Sequence, residues 1–261
     1  MIYNQLMTNE THIQVIDRMV SLLECLAKHE HASLKTLAAE TGLHSSTAFR
    51  ILASLHHHDW VTRDSNGAYQ LGSGLMRYAS QAEQQLDLRE IALPIMTALR
   101  DQTGETVNLT QRENDEVVYI ERVTSTRLMR VEQVIGSRAP LHVTAVGKLM
   151  LGEDAANACI SYAKRTKLPA YTPNTITDAG ELCTSAEHAR AQAYAFDNEE
   201  AELGVGCIGV LIRDASGKAV AGLSISAPRE RRKDEWVSAL QQAGAQMSEK
   251  LGYFSTEVKQ A

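Results

Sequence analysis

The apolar stretches of this 261-residue chain are only a few residues long, as in Val210-Leu211-Ile212. A membrane-spanning helix needs about 20 consecutive apolar residues, so no membrane segment and no membrane partner is expected. The first residues, Met1-Ile2-Tyr3-Asn4-Gln5-Leu6, have neither the basic flank nor the apolar block of a secretory signal, which places the protein in the cytoplasm. Cysteine is sparse: Cys25, Cys159, Cys183 and Cys207 form no Cys-x-x-Cys pair, so neither disulfides, a structural zinc site nor a cofactor is expected. An excess of basic charge is also missing. With 26 Lys+Arg against 32 Asp+Glu the net charge is −6, and any contact with DNA must be local. What remains, 44% apolar and 22% charged, excludes disorder and fits one large domain or two modest ones.

The first 80 residues hold six Lys/Arg against seven Asp/Glu, and seven of the nine histidines. This part gains positive charge as pH falls toward about 6. Ile13, Ile16, Val20, Leu23 and Ala27 recur at helical spacing, with Met19, Leu22 and Leu26 widening the stripe. Ser33 is an N-cap for a second helix carrying Leu34, Leu37 and Ala38, and Gly42 sits where a helix end wants a left-handed residue. A third helix runs from about His44 to His57 with Ala48, Ile51, Leu52 and Leu55 inward. So tight a turn makes the two helices cross steeply. Trp60–Arg63 and Ala68–Leu71 alternate as strands around Asp64-Ser65-Asn66-Gly67, a hairpin signal. Three helices and a hairpin make a winged helix-turn-helix. His56-His57-His58 reads as an exposed helix end, because consecutive helical residues point in different directions.

Beyond Gly72-Ser73-Gly74 the spacing predicts helices over Leu75–Gln85 and Leu88–Gln102, then strands at Thr106–Thr110 and Val117–Val123. Pro140–Thr144 reads as a loop. Helices are expected at Ala145–Leu151, Ala155–Lys164, Ala179–Ala193 and about Glu230–Leu251, and a strand pair at Cys207–Arg213 and Ala219–Ser226. The mixture lacks a βαβ rhythm, so the second domain is α+β with a mainly antiparallel sheet.

A helix that reads the major groove carries small polar and cationic side chains opposite its packing stripe. Ser45, Ser46, Phe49 and Arg50 occupy that face: Arg50 suits guanine, the serines bases or phosphates, and Phe49 a thymine methyl. Lys35 and Thr36 open the second helix, where an N-terminus and an ammonium favour phosphate, and Arg63 in the wing adds a phosphate or minor-groove contact. Singly, each has an ordinary reading as helix-start or solvated chemistry. Together with the turn and the wing they point to DNA, and a domain so short of positive charge needs a dimer to double its contacts.

Ser224 and Ser226 lie two apart on a strand, so both hydroxyls share one face. Either that face is solvated, or the hydroxyls are buried and need backbone or ligand partners. The start of the helix at Ala145 adds oriented N–H donors, a ready anion site. A rival class is a cytoplasmic thiol-dependent or metal-dependent enzyme acting on small acids, with Cys207, His142 and Asp197 as nucleophile, base and orienting carboxylate. Cys207 falls in a strand rather than at a helix start that would stabilise a thiolate, and Cys207 with His142 is too few ligands for a metal. No catalytic residue is expected.

From about Ile13 to Gly252 these residues resemble the IclR family of bacterial transcriptional regulators. The motifs are Leu34-Lys35-Thr36-Leu37-Ala38 to Gly42-Leu43, Ser46–Leu52 to Leu55, and Tyr69-Gln70-Leu71-Gly72; then Gly136–Lys148; then Asp197-Asn198-Glu199-Glu200, Gly204, Gly206-Cys207, Asp214, Gly217, Gly222–Ser226 and Pro228. The resemblance implies an α+β chain: a winged helix-turn-helix over 11–74, a dimerising linker helix over 75–87 and a GAF-like effector-binding domain over 88–255. It implies a double-stranded, pseudo-palindromic DNA operator, self-association as a dimer or dimer of dimers, and a small organic acid effector, expected to be a carboxylate. By resemblance the effector meets Leu128, Val131 and Ala139 on one side, Ala145 and Val146 at a helix start, and Asp197, Val205, Cys207, Ser224 and Ser226 on the sheet and its approach. Asp197, Cys207, Ser224 and Ser226 keep the polar types of a glyoxylate- or pyruvate-binding relative. Ala145 and Val146 depart from it, Val146 narrowing the place where a carboxylate meets backbone N–H groups. The 5% aromatic content favours an aliphatic acid.

Overall fold

The computed structural model describes residues 13–29, 31–83, 86–155 and 157–254, which fall into two compact units divided between positions 83 and 86. The expected outer limits at 11 and 255, and the end of the helix at Gln85, lie outside the described residues. So does position 156, inside the helix expected over Ala155–Lys164.

The first unit is built from α1 (Gln14–Lys28), α2 (Leu34–Thr41), α3 (Ser45–His57), β1 (Val61–Arg63), β2 (Tyr69–Leu71) and α4 (Gly74–Glu83). Ser33 caps α2 by accepting the Thr36 N–H at 3.1 Å, and Gly42 ends it at φ +67°. The Leu43 N–H then returns to the Ala38 carbonyl, which closes the turn into α3. In the hairpin, Asp64 Oδ1 accepts the N–H groups of Asn66 and Ala68, and Gly67 takes φ +84°. α1 buries Leu22, Cys25 and Leu26 against Leu37, Leu52 and Leu55, with Met19 and Leu23 beside them. This corrects the expected stripe: Ile13, Ile16, Val20 and Ala27 are exposed. The helix offers two overlapping apolar faces, and the shared core takes the one carried mainly by its second half.

The second unit begins with α5 (Leu88–Thr103), β3 (Thr106–Glu113), β4 (Glu116–Val123) and β5 (Arg138–Pro140). A short 3₁₀ turn, Leu141–Val143, occupies the segment expected as a loop and leads into α6 (Ala145–Glu153). Then come α7 (Ala158–Thr166), α8 (Ala179–Gln192), β6 (Ala195–Asn198), β7 (Val205–Arg213), β8 (Ala219–Pro228) and α9 (Trp236–Lys250). The sheet order is β5-β4-β3-β8-β7-β6, and every pairing is antiparallel. The last helix starts at Trp236 rather than near Glu230. Residues before it form turns that pin Arg231 onto the buried Glu105 carboxylate, Nε to Oε1 at 2.8 Å.

Alternation divides the sheet. Val107, Leu109, Ile208, Val210, Ile212, Leu223 and Ile225 pack with Met96 of α5 and Leu240 and Met247 of α9. The opposite face is small and polar, with Thr106, Ser226, Cys207 and Asp197 in one cross-strand row and Asn108, Ser224 and Gly209 in the next. α6 lies on this face. A Cβ on Gly222 would stand 2.0 Å from Val146 Cγ1, and one on Gly209 would stand 2.9 Å from Val146 N, so the first turn of α6 rests directly on glycine backbone. Further along α6, Lys148 Nζ donates to Glu200 Oε1 at 2.5 Å, and both side chains are buried. Gly222→Ala is therefore expected to destabilise the second unit by roughly 1–3 kcal/mol through overpacking. Adding Val146→Ala recovers part of the loss, as read by denaturant unfolding. A Gly222→Ala protein as stable as wild type would show that α6 does not sit so close.

Candidate functional site

The first unit presents Ser45, Ser46, Phe49 and Arg50 on the solvent side of α3, opposite the buried Ala48, Ile51, Leu52 and Leu55. Phe49 is 48% exposed, unusual for an aromatic without a protein partner to cover it. The side chains of Arg50, Ser45 and Lys35 make no hydrogen bond or ion pair with a described residue. The other expected contacts are engaged locally. Thr36 Oγ1 pairs with Ser33 Oγ at 2.9 Å, and Ser46 Oγ with His44 Nδ1 at 2.8 Å. Arg63 donates to the Gly67 carbonyl at 2.9 Å and stacks over Tyr69 at 5.3 Å, so it braces the wing turn. His44, not singled out from sequence, is the N-cap of α3.

In the second unit a cavity of about 70 Å³ lies between the polar sheet face and the start of α6. By that measure roughly 10–15 Å³ holds one water, so the space suits a molecule of a few heavy atoms. Of the residues singled out from sequence, Ala139, Ala145, Val146, Asp197, Val205, Cys207 and Ser224 line it. Leu128, fully exposed, and Val131 do not. Ser226 is excluded too: its hydroxyl accepts from Asn108 Nδ2 at 3.0 Å and touches Cys207 Sγ at 3.2 Å, which satisfies it within the protein. Ser224 Oγ makes no hydrogen bond with a described residue and faces the cavity. Val146 does not close the space, because its side chain drops into the notch over Gly222. Thr144 caps α6 by accepting the Gly147 N–H at 3.0 Å, which leaves the Ala145 and Val146 N–H groups without intrahelical acceptors at the positive end of the helix.

Thr110, Val117, Tyr119, Gln133, Ala201 and Glu202 complete the wall and were not anticipated. Tyr119 arrives through a bulge: Leu109 pairs with Glu121 but Thr110 with Tyr119, leaving Ile120 as an extra residue. Val123 faces α5 while Tyr119, an even step away, faces the cavity. No periodicity in β4 announces this. Burial, and then the nearby Asp197 carboxylate, push the Tyr119 phenol far up, so it stays protonated and able to donate. Burial likewise raises the Cys207 thiol far above its ordinary range. The Asp197 carboxyl is pushed up to about 6, first by burial; the Glu200 N–H donates to it at 2.8 Å and opposes the rise.

These facts dispose of the thiol triad. Cys207 is a buried neutral thiol, and His142 has its ring nitrogens against Tyr162 Oη at 3.0 Å and the Pro169 carbonyl at 3.1 Å. Neither nitrogen is left for Cys207. Burial also depresses the His142 imidazole, in keeping with a neutral structural ring. Among the described residues, no helix is long and apolar enough to cross a membrane.

Comparison with known proteins agrees with both halves of this geometry. Residues 15–65 match the IclR helix-turn-helix domain, and residues 80–251 match the bacterial transcriptional regulator IclR C-terminal family. The chain is 33% identical over 228 residues to the HTH-type transcriptional repressor AllR of Escherichia coli K12, covering 86% of this chain and 84% of that one. Among solved structures, Thermotoga maritima IclR is 30% identical with a TM-score of 0.61, covering 93% of this chain and 100% of that one. The Agobacterium tumefaciens repressor BlcR is 29% identical with a TM-score of 0.74, covering 93% and 99%. A winged reader with a free arginine on its third helix, an antiparallel sheet with its cavity and two family matches in that order lead to one statement: the chain belongs to the IclR family of DNA-binding transcriptional regulators and is not an enzyme.

Proposed function

We propose that this protein is a cytoplasmic transcriptional repressor that binds a pseudo-palindromic operator as a dimer or dimer of dimers, and that a small carboxylic acid in the α6 cavity sets its operator affinity. Repression is inferred from the names of the relatives AllR and BlcR. The observation that carries the effector reading is that one small cavity is lined together by the first two residues of α6, Ala145 and Val146, and by Ser224 and Asp197. Among the described residues, no Lys or Arg lines that wall. An anionic end therefore belongs at the α6 N-terminus, where backbone donors and the helix dipole favour it. The other end must bring a donor to Asp197, which points to a 2-hydroxy acid or a hydrated 2-oxo acid of aliphatic type.

On this reading Lys35, Thr36, Ser45, Ser46, Phe49, Arg50 and Arg63 form the DNA face. Arg50, Ser45 and Phe49 reach bases, Lys35 reaches phosphate, and Thr36, Ser46 and Arg63 hold that face in shape. The linker over 75–87 carries the response. The effector shifts operator binding only if it prefers one arrangement of that linker over another.

Arg50→Ala is expected to weaken specific operator binding by roughly 1–3 kcal/mol while the melting temperature is kept. Unchanged affinity in a gel-shift titration would remove Arg50 from base reading. Glyoxylate, pyruvate, glycolate and lactate, screened by thermal shift, should include at least one acid that raises the melting temperature by a few degrees at saturating concentration. Its amide should not, and Ser224→Ala should reduce the shift; silence from every acid, or an unaltered Ser224→Ala response, defeats the cavity assignment. Asp197 has a folded pKa above its unfolded value, so its cost to stability is absent below about pH 3.8, grows as pH rises, and is complete above about pH 6. Asp197→Asn should melt higher than wild type at alkaline pH, the gain vanishing as pH falls through that window. Equal melting curves at every pH would contradict the burial of this charge.

A further inference from the structure

The first unit contains a convergence that the cysteine pattern did not foretell. Cys25 Sγ, His29 Nε2 and a Glu40 carboxylate oxygen all lie within 4.8 Å of one another. His29 Nε2 stands 3.0 Å from Glu40 Oε1, and Cys25 Sγ 3.3 Å from Glu40 Oε2. Cys25 and His29 are four residues apart at the end of α1, which puts them on one side of the helix, and Glu40 reaches them from the last turn of α2. We propose that these three side chains form a site for a borderline-soft divalent cation, zinc in the first instance, completed by a solvent molecule.

A carboxylate shared between a thiol and an imidazole explains the two short distances by itself. The burial gradient and the donor set go further. Cys25 is buried at the floor, whereas the His29 and Glu40 side chains are 38% and 44% exposed, so an entry path is open and the fourth vertex falls on the solvent side. Zinc bonds of about 2.0–2.3 Å place tetrahedral ligand atoms roughly 3.3–3.8 Å apart, and these atoms already stand within a few tenths of an ångström to an ångström of that spacing. Thiolate, imidazole and carboxylate together select zinc over magnesium or calcium, which want oxygen alone. On binding, the Cys25 thiol proton leaves to solvent, and His29 offers its Nε2 lone pair with its own proton on Nδ1. The ion clips α1 to α2, the helix whose first turn carries Lys35 and Thr36. This site is independent of the effector cavity, and neither reading needs the other.

The test uses the full-length chain without an affinity tag, stripped with a chelator and titrated with Zn²⁺ in competition with a chromogenic zinc indicator. One zinc per chain is expected, weakened about a hundredfold by Glu40→Gln and by His29→Ala, both partly exposed and safe for the fold. Substitution with Co²⁺ should give a thiolate-to-cobalt charge-transfer band that Cys25→Ser abolishes and Cys207→Ser retains. Absence of zinc binding by the folded wild type overturns the proposal. So does a cobalt band that survives Cys25→Ser, or affinity unchanged in both Glu40→Gln and His29→Ala.

Discussion

The close seating of α6 on the sheet is the constraint on which the second unit depends. Gly209 and Gly222 strip two neighbouring strands of side chains at the point where the Val146 methyls arrive, and the helix axis can then run nearer to the backbone than larger residues permit. Three consequences follow from that contact. The helix start lies against the sheet, so Ala145 and Val146 border the cavity rather than bulk water. Lys148, one turn further on, is carried inward far enough to need the buried Glu200 carboxylate, and that pair fixes the connection between β6 and β7. Asp197 lies at the base of the same connection, so helix, connection and carboxylate form one rigid corner.

Most of the first unit was legible because each of its signals is local. A serine cap, a left-handed glycine and an Asn-Gly turn act within a few residues, and chain context leaves them little freedom. The face of α1 was not legible. Apolar residues cover so much of its surface that periodicity supports two orientations, and only the shape of the core made by Leu37, Leu52 and Leu55 selects one. In the second unit, β5 and β6 escaped because three or four residues carry no measurable alternation, and their strand character comes from edge pairing.

The candidate cavity shows the same division. Residues at strand positions and at the helix start, among them Cys207, Ser224 and Ala145, are marked by motif and alternation and line the cavity. Leu128 and Val131 lie outside the cavity wall, in an irregular segment whose path no pattern dictates. Ser226 also lies outside it, for a subtler reason: it has the right face, yet Asn108 reaches across the sheet and engages its hydroxyl. The Cys25, His29 and Glu40 cluster was hidden by distance along the chain, since its third member lies on another helix. The proposed DNA face, by contrast, is modest in charge and depends on a few side chains left free by an otherwise saturated network of caps and turns.

The bulge at Ile120 decides which odd-numbered residues of β4 stand at the cavity wall and which stand on the core. In a regular strand the set of side chains facing a ligand is locked to parity, and altering it means exchanging residues one by one. Here a single extra residue in β4 switches parity midway along the strand, so the inner half serves the core while the outer half serves the cavity. Because Glu121 pairs with Leu109 and Tyr119 with Thr110, loss of Ile120 alone would make the strand regular and leave the phenol at the wall. The extra residue is slack: the strand can shed it without changing which side chains meet the cavity, whereas a residue gained or lost between Val117 and Tyr119 would turn one of them away.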